Sequence, residues 1–133
     1  MIQVYVKKQS NYPVKASGLK KKLSEFFKKK GIVSDAHVSV ALIGEKKMLE
    51  LSKKYLKDNT LHSVLSFSPD EALGESVQGG FATPPDGKID LGEIVICFPV
   101  ALEEAKKEGK RINTKIGELM LHAALHLLGI HHD

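Results

Sequence analysis

The chain closes with His122-Ala-Ala-Leu-His126-Leu-Leu-Gly129-Ile-His131-His132-Asp133. No other stretch constrains the fold as strongly. Ile116, Leu119, Met120, Ala123, Ala124 and Leu127 recur at helical period, and Leu121, Leu125 and Leu128 fill the remaining sides. A helix apolar almost all round has to be buried. The spacing therefore predicts a central helix over about 114–128, capped by Asn113 or Thr114. His122 and His126 are four residues apart, so their imidazoles share one face, one turn above the other. Gly129 ends the helix cheaply in the left-handed conformation, and the chain can fold back there to bring in His132. Three neutral nitrogens with an open fourth position is how catalytic zinc is held. A lone histidine on an apolar helix is more often a core or boundary residue. Here four of the six histidines lie in the last twelve residues, interleaved with Leu and Ala, which favours one metal site.

The 133 residues fit one domain with one core. No apolar stretch approaches the roughly 20 residues of a membrane span. The first residues, Met-Ile-Gln-Val-Tyr-Val, alternate like a strand rather than a signal peptide. Cys97 is the only cysteine, so no intramolecular disulfide forms, which suits a reducing compartment. These features lead us to expect a soluble cytoplasmic protein. The net charge is +4, with lysine clusters at 20–22, 28–30, 53–54 and 106–107. Any single cluster reads as a solvated helix face. The overall excess tilts partners toward polyanions such as nucleic acid.

Strands are expected at about 2–6, 37–43, 64–67 and 89–98. Helices are expected at about 18–30, with Leu19, Leu23, Phe26 and Phe27 inward, and at about 45–56, with Met48, Leu49, Leu51 and Leu56 partly buried. A turn is expected at Asn59-Thr60, and a short helix at about 100–108 after Pro99. Residues 68–88 carry Pro69, Gly74, Gly79-Gly80, Pro84-Pro85 and Gly87 and read as a long loop.

Three blocks occur in an order and spacing that resembles the YbeY family. They are Ser63-Val64-Leu65-Ser66-Phe67, Leu91-Gly92-Glu93-Ile94-Val95-Ile96-Cys97 and His122-x3-His126-Leu127-Leu128-Gly129-x2-His132. The resemblance covers residues 55–132 well and the first third in element order. It implies an α+β fold, with a small mixed four-stranded sheet and a histidine-bearing central helix. It implies that His122, His126 and His132 ligate one zinc ion per chain. It further implies a zinc-dependent endoribonuclease acting on RNA, notably the small-subunit ribosomal RNA precursor, in ribosome biogenesis and quality control. Ribosomal proteins are expected as further partners, and a membrane is not.

Three positions depart from the family pattern. His131 stands where the family has an acid. Leu56 stands where it has an arginine, a natural phosphate contact. The family also continues past the third histidine into another acidic helix. Because Leu56 replaces that arginine, the alternative reading is a non-catalytic, zinc-containing ribosome-assembly factor that binds RNA or a ribosomal protein. A zinc protease would need His-Glu-x-x-His, and Ala123 fills the position of that base. No general base is evident. Glu118 and Lys115 share the histidine face, as a partner to a ligand or a phosphate contact, or simply as solvated charges. Ser66 and Glu93 are expected to border the cleft.

Overall fold

The structure, a computed structural model, describes residues 2–69 and 89–129. Most of the long loop of 68–88, and His131 and His132, therefore lie outside the described residues. The strands are β1 Ile2–Lys8, β2 Ala36–Ile43, β3 Val64–Phe67 and β4 Ile89–Cys97. The helices are α1 Ala16–Lys29, α2 Glu45–Leu51, α3 Phe98–Glu108 and α4 Ile112–Leu127, and α2 runs on into a π-helical segment, Ser52–Leu56. The strands form one mixed sheet in the order β1-β2-β4-β3. β1, β2 and β4 are parallel, and the edge strand β3 is antiparallel to β4. This is the expected α+β arrangement. Among the described residues no helix is long and apolar enough to cross a membrane.

Each sheet face has its own apolar cluster, as the period-two alternation of side chains requires. Val4, Val38, Val40, Leu42, Ile94 and Ile96 pack against Leu19, Leu23 and Phe27 of α1 and Ile116, Met120, Ala123 and Ala124 of α4. On the other face Ala41, Ile43, Val95, Cys97 and Phe67 meet Met48 and Leu51 of α2. β2 is central and wholly buried, so its simple alternation understated it.

Several expectations need correction. Leu56 is not partly buried but 44% exposed. The inward positions are Met48, Leu51, Ser52 and, half-buried, Tyr55, which packs on Phe67. Leu56 is the last residue before Lys57, whose left-handed backbone turns the chain away. Ser52 donates its hydroxyl to the Met48 carbonyl at 3.0 Å, where the α-helix gives way to the wider π turn. The following turn is organised by Asp58 rather than Asn59: its carboxylate accepts from the Thr60 amide at 3.1 Å. α4 starts two residues before the expected position. Arg111, extended at φ −71° and ψ 149°, precedes it without a side-chain cap, so Asn113 and Thr114 fall inside the first turn. Finally, α4 is buried along one side rather than all round: Leu121, Leu125, Leu127 and Leu128 are half-buried, and Glu118 and His122 are exposed.

Candidate metal centre

The site is built at the C-terminal end of α4. Helical period puts His122 and His126 on one stripe, and their ring centroids are 4.5 Å apart, tilted by 63°. His122 is exposed and His126 half-buried, because the opposite side of the helix carries Met120, Ala123 and Ala124 into the core. The helix ends as expected. Leu128 donates its amide back to the Ala124 carbonyl, and Gly129 takes φ 81° with its amide on the His126 carbonyl at 2.9 Å. The negative end of the helix dipole therefore lies beside the two imidazoles and favours a cation there. Two imidazoles one turn apart are a donor set of the kind that suits zinc. No group of three metal-binding side chains occurs among the described residues, and His132 lies outside them.

The bulge in β4 anchors this end of α4. Gly92 has φ 112°, and its amide donates to Asp90 Oδ1 at 2.9 Å. A Cβ at Gly92 would collide with the Phe67 carbonyl and lie 2.9 Å from Leu127 Cδ2. Leu127 adjoins His126, so the absence of a side chain at 92 lets the histidine-bearing end of the helix seat on the β3–β4 pair. The register of β2 on β4 shifts here, between His37 and Ser39. The role of Gly92 went unread in the sequence, although a glycine inside a strand signals a bulge or a close approach.

Of the two charges on the histidine face, Glu118 is an ordinary surface carboxylate and Lys115 is neither solvated nor free for a phosphate. Lys115 is buried and holds Glu108 at 3.0 Å and Glu104 at 3.3 Å, so it braces α3 against α4 and is not offered to a phosphate. Burial alone would push its ammonium pKa down; the hydrogen bonds to Glu108 and Glu104 outweigh that and hold it above the ordinary value. Glu118 accepts from Lys110 at 2.7 Å, an ion pair on the helix surface. Ser66 and Glu93 do not border one cleft. Ser66 pairs with Ile94, whose side chain lies in the α4-facing cluster, whereas Glu93 pairs with Phe67 on the opposite face. Alternation along the strands separates them. Leu56 likewise stands at the end of the helix that covers that opposite face.

The family model described as Endoribonuclease YbeY matches residues 4–133. This chain belongs to the YbeY family. A YbeY protein of Dehalococcoides mccartyi named as an endoribonuclease is 34% identical over 133 residues, covering 98% of this chain and 83% of the relative. A Staphylococcus aureus protein of the same name is 35% identical over 111 residues, covering 83% and 69%. The solution structure of a Thermotoga maritima protein superposes with a TM-score of 0.57 at 22% identity, covering 98% of this chain and 75% of that one, and shares the fold.

Proposed function

We propose that this YbeY-family chain is a zinc-dependent endoribonuclease, with His122, His126 and His132 holding one zinc ion per chain. On this proposal the protein acts in the cytoplasm and matures ribosomal RNA, with the small-subunit precursor as substrate and ribosomal proteins as further partners. The observation that carries it is the pairing of His122 and His126, centroids 4.5 Å apart, immediately before the Gly129 turn. Zinc held by imidazoles supplies a Lewis acid for a phosphoryl oxygen and a water of lowered pKa. The rest falls to the chain. His122 is open to solvent, so a backbone phosphate as large as that of RNA has access to the stripe. α4 is rigidly seated through Leu127 and Gly92, which holds the imidazoles in place for the reaction. Ala123 cannot take a proton, which separates this helix from the zinc proteases with the same histidine spacing. The nucleophile is either water or the RNA's own 2′-hydroxyl, and for both the protein has to bind and orient the phosphodiester.

Elemental analysis of untagged protein tests the site. About one zinc per chain is expected. His122→Ala or His126→Ala should lose stoichiometric metal, and His131→Ala should keep it. Loss with His131→Ala and retention with His132→Ala would refute the ligand set. RNA bound by every variant but cleaved by none would replace the enzyme with the zinc-containing assembly factor.

A further inference from the structure

We infer that the lysine face of α1 is the surface along which this chain holds the RNA backbone. The inference rests on the ribonuclease reading and adds a binding surface to it.

Residues 15–30 contain seven lysines and one acid, Glu25, a net +6. The whole chain is +4, so everything outside this segment nets −2. All seven lysines are exposed. Among the described residues none of them has an ion-pair partner; the Lys30 ammonium lies 5.7 Å from the centre of the Phe26 ring. The cations between α3 and α4 behave oppositely. Lys110 and Lys115 are both neutralised by glutamates within 3.3 Å.

Helix stability does not account for the α1 lysines. Lys28 and Lys29 suit the negative end of the dipole. Lys20, Lys21 and Lys22 lie mid-helix, however, Lys15 occupies the N-terminal cap, and the first turn contains no acid. Lys15 opposes the dipole, and the dipole does not reach Lys20, Lys21 and Lys22, so it gives no reason for charge there. The arrangement is intelligible if an external polyanion neutralises it.

The face is also joined to the histidine helix. A Cβ at Gly117 of α4 would lie 2.8 Å from Lys22 Nζ and 3.3 Å from Lys22 Cδ. The missing side chain thus lets Lys22 lie against α4, five residues before His122, about 7.5 Å along the axis at 1.5 Å per residue. A membrane surface is a poorer partner. Interfacial helices insert an apolar face, and the apolar face of α1, with Leu19, Leu23 and Phe27, is already buried in the core.

The test is the salt dependence of binding to a labelled single-stranded RNA. Full-length wild type is compared with Lys21→Gln/Lys22→Gln/Lys28→Gln and with Lys106→Gln/Lys107→Gln on α3 as control. Gln sustains the helix at these exposed positions. Each lost phosphate contact should flatten the slope of log K against log salt by about 0.7, so the α1 variant should be shallower by about 2, with the control unchanged. An unchanged slope with RNA still bound would overturn the α1 surface and leave the ribonuclease reading standing. An equal drop in the control would overturn it as well, since the charge would then act without location. Failure of wild type to bind RNA would remove both readings. Tighter binding to phosphatidylserine vesicles than to RNA at the same salt would replace RNA with a membrane surface.

Discussion

Gly92 and Leu127 touch where the β4 bulge receives the end of α4: a Cβ at 92 would lie 2.9 Å from Leu127 Cδ2 and would collide with the Phe67 carbonyl. The backbone of Gly92 is also left-handed, at φ 112°. Gly92→Ala should therefore destabilise the fold by about 2 kcal/mol or more, through strain and overpacking together. Since Leu127 adjoins His126, zinc affinity should fall as well. Urea denaturation and a zinc competition titration read the two effects. Wild-type stability in the variant would contradict the packing described here.

Gly18 is the counterpart. It sits in α1, exposed, with nothing within 4 Å of a Cβ placed there and no positive φ. Gly18→Ala should raise stability by about 0.5 kcal/mol, because alanine loses less conformational freedom on entering a helix. A lower urea midpoint would mean that the α1 surface is packed against something.

The α3–α4 ion cluster makes stability depend on pH. The hydrogen bond from Lys115 holds the Glu108 carboxyl below its ordinary range. Its contribution is present above the unfolded value, about 4.3, and is lost as pH falls through the folded one. Lys110, raised by hydrogen bonds to Glu118 and Glu108, and Lys115, raised by its glutamates against the effect of burial, act at the other end. Their contribution is complete below about 10.4 and is lost as pH rises through the folded values. Urea midpoints at pH 6 and pH 3.5 should fall less for Glu108→Gln than for wild type. An identical fall would mean that Glu108 carries none of the acid dependence.

Cys97 is fully buried, and burial pushes its thiol pKa up. The thiolate is the reactive form, so the native protein should be inert to a thiol-specific reagent at neutral pH and yield one equivalent when unfolded. Rapid labelling of the native protein would show that the β4–α3 junction opens.

Periodicity made the strands, α1 and α4 legible, and Gly129 marked where α4 ends. The rest failed where tertiary context decides. Lys115 reads as a solvated or phosphate-facing charge because nothing local reveals that Glu104 and Glu108 of α3 will surround it. Ser66 and Glu93 each sit in a family block, but only the β3–β4 register puts them on opposite faces. The helix of residues 45–56 reads as one α-helix, because the Ser52 hydroxyl bond to Met48 leaves no trace in hydrophobic spacing. The histidine pair was legible because two side chains on one turn depend on helix geometry alone.

The proposed role of the His122–His126 pair is the cleavage of RNA. The most direct measurement is single-turnover cleavage of a labelled structured RNA by zinc-loaded wild type and by His126→Ala, with folding of both checked by circular dichroism. Metal-dependent cleavage by wild type, reduced by at least about a hundredfold in His126→Ala, is the predicted result. Equal cleavage by the two proteins would contradict it, since the phosphodiester would then be broken without the α4 site.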